Sequence, residues 1–89
     1  MKNLSIENIT KACRGTFHGD KSILSQEVSG VVIDSRKVQP GYLFVAIDGE
    51  RVNAHKFIPD TVKAGAMCVV SHEDLGETDF PYILVESTG

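Results

Sequence analysis

Two short polar groups carry the residue types that could recognise a ligand: Asp34-Ser35-Arg36 and Gly49-Glu50-Arg51. The Ser35 hydroxyl can donate or accept a hydrogen bond, and the peptide groups around Ile33 and Asp34 lie beside it. The Arg36 guanidinium can grip a carboxylate or phosphate in two parallel bonds. Glu50 and Arg51 place an acceptor and a donor next to Gly49, with Val52 following. Each group follows an apolar run, "VVI" directly before the first and "YLFVAI" one residue before the second. In open α/β sheets ligands settle just beyond the C-terminal ends of strands, and both groups meet that rule. The same residues also have a plainer reading. Asp34 can cap its own turn through an Asx-type bond, and Arg36 and Arg51 can be solvated surface groups.

Other chemistries find less support. The three histidines, His18, His55 and His72, fall in separate segments without metal-ligand spacing. No Gly-x-Ser-x-Gly elbow surrounds Ser35, so a hydrolase is a poor match. Neither Gly-x-x-x-x-Gly-Lys-Ser/Thr nor Gly-x-Gly-x-x-Gly occurs, so the chain has no recognisable phosphate loop and is not a complete ATP-using enzyme. Cys13 and Cys68 read as two reduced core thiols, being too few and too far apart for a disulfide framework or a zinc site.

The elements that must position these groups can be read from the pattern. "LSIENITKACRG" predicts a short helix: Ser5 is the N-cap and Leu4 can staple onto Ile9. Ile6, Ile9 and Cys13 share a face, and Gly15 stands where a left-handed C-cap is wanted. "TFHGD" suggests a small strand, and "KSILSQEVSG" is connecting chain. "VSGVVIDS" is a β-branched strand ending at Asp34-Ser35. Pro40-Gly41 makes a turn, "YLFVAI" is a strand covered on both faces, and Asp48-Gly49 punctuates its end. A helix follows with Pro59 and Asp60 in its first turn and Gly65 as its stop. "AMCVVS" is a buried strand, "HEDLGETD" a charged surface loop and "YILVES" a last strand, where the chain stops as at the cut edge of a larger protein. Strands alternating with short helices predict an α/β class: one small domain with a mixed, partly parallel sheet and short helices packed on it.

Composition agrees with one such domain. The 89 residues are 42% hydrophobic and 24% charged, enough for one core and too few for two. A net charge of -3 with nine scattered basic residues argues against nucleic-acid binding, which draws on clustered Lys and Arg. An anionic ligand would therefore need local donors. No apolar run is long enough to cross a bilayer and no signal peptide opens the chain, so a cytoplasmic setting is expected.

Set in order, "IDSRKVQPGYLFVAIDGERVNAHKFIPDTVKAGAMCVV" resembles the N-terminal domain of the Mur ligases of peptidoglycan synthesis. The matching positions are Asp34-Ser35-Arg36, Pro40-Gly41, Leu43 to Ala46, Gly49-Glu50, His55, Phe57-Ile58 and Gly65-Ala66. The start, "LSIENITKACRGTFHGD", is similar to the branch that adds D-alanyl-D-alanine. The branch adding lysine or diaminopimelate shares the central motif and is the alternative, as is a free-standing nucleotide-sugar-binding module. The resemblance implies a domain that holds the uridine diphosphate end of a UDP-N-acetylmuramoyl peptide and is inactive alone. It also implies central and C-terminal ligase domains in the full-length chain, with ATP and magnesium bound by the central one. Residue by residue, uridine contacts fall on Ile33, Ser35, Glu50, Arg51 and Val52, with Arg36 as a possible addition. Two positions depart from the family pattern. Tyr42 stands for an Asp, and Asn53-Ala54 stands for Asp-Gly, where Ala adopts a positive φ less cheaply.

Overall fold

The computed structural model describes residues 4–46 and 54–86, with the side chains of 54 and 55 excepted. Two helices, α1 (Ile6–Ala12) and α2 (Ile58–Lys63), accompany five strands: β1 (Thr16–His18), β2 (Gly30–Val32), β3 (Tyr42–Val45), β4 (Cys68–Ser71) and β5 (Tyr82–Leu84). The sheet order is β1-β5-β4-β3-β2. The four strands β2 to β5 run parallel, and only β1 lies antiparallel, on β5. This is the mixed α/β sheet expected, and it brings four strand C-termini to one edge.

Burial explains the strand sequences. All four residues of β4 are buried, as are Leu43 and Phe44 of β3, because helices or loops cover both faces. Alternate residues feed two cores. Ile6, Val28, Leu43, Cys68, Val70, Ile83 and Val85 pack on the α1 side, joined by Leu4 and Ile9. Val38, Phe44, Ala46, Ile58, Val69 and Tyr82 pack on the α2 side. Each fully buried large side chain contributes about 1.5–3 kcal/mol.

Helix ends follow local chemistry. The Ser5 hydroxyl accepts the Asn8 N–H at 3.2 Å, capping α1. At its other end the left-handed residue is Arg14 (φ 56), not Gly15 as the sequence predicts. The Arg14 N–H donates to Lys11 O at 3.2 Å and the Gly15 N–H to Thr10 O at 2.9 Å, a Schellman motif with Arg in the usual glycine place. Gly15 is needed for another reason. A Cβ there would run into Ile83 Cγ2 and come within 2.9 Å of Leu84 O. The α2 terminus meets the expectation: Gly65 takes φ +109, with its N–H on Val62 O at 3.1 Å and the Ala66 N–H on Thr61 O at 3.0 Å.

Two further readings need correction. The strand before Asp34 ends at Val32, since the Asp34 carboxylate draws the chain into a 3-10 turn over Ser35–Lys37. Cys13 is exposed, because it is the C-cap residue of α1 and stands past the buried face, whereas Cys68 is buried as expected. The segment after β4 is the charged surface loop expected, and it also makes specific contacts. Its Asp74 Oδ1 accepts the Gly76 N–H at 2.8 Å and the hydroxyl of buried Tyr82 at 3.1 Å.

Candidate functional site

The candidate site is the edge where β2 and β3 end. Gly30 pairs with Tyr42 and Val32 with Phe44, so Ile33, Asp34 and Ser35 leave the sheet alongside the end of β3. The Tyr42 ring lies over Gly30, where a Cβ would stand 2.9 Å from Tyr42 Cζ. The departure from the family's Asp is thus accommodated by a glycine on the neighbouring strand, which keeps the two strands in register. Ala46, the residue after β3, is fully buried and donates its N–H to Val70 O at 2.9 Å.

At the end of β2 the Asp34 carboxylate makes three bonds to one residue. Oδ1 accepts the Arg36 backbone N–H at 2.9 Å and Nε at 3.1 Å, while Oδ2 accepts Nη2 at 2.9 Å. The Lys37 N–H closes the turn on Asp34 O at 3.0 Å. The Arg36 side-chain bonds, followed by its backbone N–H, hold the Asp34 carboxyl down at about 2 and raise the guanidinium above its ordinary value. Arg36 therefore does grip a carboxylate in two bonds, and the carboxylate is Asp34. Both features of the plainer reading are present: the Asx-type cap, and a guanidinium whose side chain is 87% exposed.

Ser35 is different. It is half-buried, and its hydroxyl has no hydrogen-bond partner among the described residues. Ile33 beside it is 65% exposed and Val31 is 48% exposed, the two large apolar side chains that stand out of the core among the described residues. Val31 borders an apolar hollow of about 300 Å³ between α1 and the sheet, lined also by Ile9, Cys13, Leu43, Val45 and Val70. The structure brings Ile33, Ser35 and Arg36 to one edge. Glu50, Arg51 and Val52 lie outside the described residues, as do Asp48, Gly49 and Asn53.

A second hollow, about 460 Å³, opens at the opposite edge between Phe17, His18, Gly19 and the 76–78 turn. His18 stacks on Tyr82 with ring centroids 4.8 Å apart, and its buried Nε2 has no partner among the described residues. Sequence reading passed over this contact, because β1 and β5 are far apart in the chain and no local pattern links them. Among the described residues no group of three or more His, Cys, Asp or Glu is placed to hold a metal ion. No helix among them is long and apolar enough to cross a membrane.

Comparison with known proteins agrees with this fold. The family model described as Mur ligase family, catalytic domain, matches residues 27–85. The UDP-N-acetylmuramoyl-tripeptide--D-alanyl-D-alanine ligase of Buchnera aphidicola subsp. Acyrthosiphon pisum is 34% identical over 88 residues, covering 99% of this chain and 18% of that protein. The UDP-N-acetylmuramoyl-L-alanyl-D-glutamate--2,6-diaminopimelate ligase of Phocaeicola vulgatus is 42% identical over 67 residues, 72% of this chain and 14% of that one. Among solved structures, the UDP-N-acetylmuramoylalanyl-D-glutamyl-2,6-diaminopimelate--D-alanyl-D-alanyl ligase of Acinetobacter baumannii superposes with a TM-score of 0.79 at 25% identity, over 94% of this chain and 18% of that one. The chain spans less than a fifth of the length of these relatives. With a family match across most of the sheet and a relative aligned along nearly its whole length, this chain belongs to the Mur ligase family, as an N-terminal domain of that family.

Proposed function

We propose that the chain holds the uridine diphosphate end of a UDP-N-acetylmuramoyl peptide for a ligase that joins D-alanyl-D-alanine to the tripeptide form of that substrate. The observation carrying this reading is the end of β2, where a half-buried hydroxyl without a partner among the described residues (Ser35) adjoins an exposed apolar side chain (Ile33). A pyrimidine ring asks for that pairing of hydrogen-bonding and apolar surface. The proposed contacts are Ile33, Ser35, Glu50, Arg51 and Val52. Arg36 is left out of the set, because its guanidinium is already engaged by Asp34.

In this role the chain binds and orients, and amide-bond formation falls to the rest of the ligase. ATP and magnesium, which drive carboxylate activation in such ligases, belong to a central domain, and the cytoplasm is where the substrate and those partners meet. The branch adding diaminopimelate is a second reading, favoured by the 42% identity over the middle of the chain. The match that runs through α1 as well, over 99% of the chain, supports the D-alanyl-D-alanine branch.

Calorimetric titration of the 89-residue chain with UDP-N-acetylmuramoyl-tripeptide tests the proposal. Weak binding is expected, with Ser35→Ala reducing affinity roughly 2- to 10-fold, the worth of one hydrogen bond. No binding, or equal binding by the Ser35→Ala chain, would overturn it.

A further inference from the structure

We infer that Asp34 is the positioning residue for Ser35, holding that hydroxyl ready for the nucleotide through its bond to the Arg36 backbone N–H. The inference rests on the functional reading above. Ser35 sits between two residues that are tied to each other. The Asp34 carboxylate takes the Arg36 N–H at 2.9 Å, and the Asp34 carbonyl takes the Lys37 N–H at 3.0 Å. Two short bonds therefore span the Ser35 peptide, holding its backbone angles and with them the direction of its Cα–Cβ bond. The guanidinium closes on the same carboxylate at 3.1 and 2.9 Å, which keeps the carboxylate from rotating away. Behind the turn, α2 packs against Ser35–Lys37 and Val38 is buried, so the turn has a rigid base.

The arrangement assigns Arg36 a supporting part, with its charge spent on Asp34. Pre-organisation of this kind raises affinity by reducing what must be ordered on binding.

Three variants separate this inference from a general loss of structure. Asp34→Ala removes the cap, and is expected to weaken UDP binding about five- to tenfold, with the native circular-dichroism spectrum kept and a melting temperature lowered by no more than the roughly 4–8 °C that loss of one cap carries. Asp34→Asn keeps an oxygen that accepts the Arg36 N–H, and should bind UDP within twofold of the wild type. Arg36→Ala should also stay within about threefold, with no change in the ratio of UDP to UMP affinity. Wild-type binding together with an Asp34→Ala chain of equal affinity, or an Asn variant as weak as Ala, overturns the inference and leaves the functional reading intact. A wild type that binds neither UDP nor UMP overturns both. Should Asp34→Ala fail to fold, Asp34→Asn decides by the same twofold limit.

Discussion

Gly65 is where the fold can be tested most sharply, because two separate effects meet there. Its φ of +109 lies where L side chains are strained, and a Cβ would stand 2.7 Å from Pro40 Cα and 3.1 Å from Pro40 N. Its carbonyl also accepts the Gly41 N–H at 2.9 Å, locking the end of α2 to the turn that starts β3. Gly65→Ala should cost about 1–2 kcal/mol for the dihedral and about 1–2 more for the contact, since backbone rather than a flexible side chain must yield. A domain of this length holds about 4–13 kcal/mol in total, so roughly 3 kcal/mol is a large part of it. The melting temperature should fall roughly 12–24 °C. Gly76 supplies the control: its φ is +68 and a Cβ there meets nothing within 4 Å. Gly76→Ala should pay the dihedral alone, about 1 kcal/mol or roughly 4–8 °C. Thermal melts followed by circular dichroism compare the two directly. If Gly65→Ala loses no more than Gly76→Ala, the contact with Pro40 is not a constraint, and the account of how α2 is locked to the start of β3 is wrong.

Other expectations follow from single residues. Phe44, 1% exposed between β2 and β4, should cost about 3–5 kcal/mol on truncation to Ala, enough to unfold much of the population; urea denaturation would show it. The Asp34 carboxyl, held at about 2 by Arg36 against an ordinary 3.8, adds stability that is full above 3.8 and is lost as pH falls from there toward 2. Carboxyl NMR titration should find that midpoint, and Arg36→Ala should return it toward 3.8. Cys13 is exposed while burial pushes the Cys68 thiol up to about 12, so a thiol reagent at neutral pH should label one cysteine, and both only in denaturant. Gly15→Ala should loosen β1 from β5, since the new methyl meets Ile83 and the Leu84 carbonyl; faster amide exchange at Phe17 would report it.

What could be read in advance was what is local. Ser5 as a cap, Gly65 as a stop, and the apolar runs of β3 and β4 each declare themselves within a few residues, because capping and burial act at that range. A mixed, partly parallel sheet followed from alternation of strand and short helix, whereas the order of the strands did not. Arg14 in the left-handed place was not legible, since Gly15 next to it looked the better candidate. Only the approach of β5, from the far end of the chain, shows why the glycine is needed one position later. Cys13 looked like core by spacing, yet the helix ends at Ala12 and Cys13 is its exposed C-cap. At the site, Asp34 and Arg36 offered both a ligand contact and a self-contained cap, and side-chain geometry alone decides that they hold each other. Ser35 and Ile33 were legible as a pair through family resemblance and the strand-end rule together.

The central claim is that the end of β2 meets a uridine nucleotide. Intermolecular nuclear Overhauser effects between the uracil H5 and H6 protons of bound UDP and the chain's methyl groups measure it directly. The account predicts cross-peaks to the Ile33 methyls and none to Phe17, His18 or Gly19. Cross-peaks confined to that opposite edge of the sheet would contradict it.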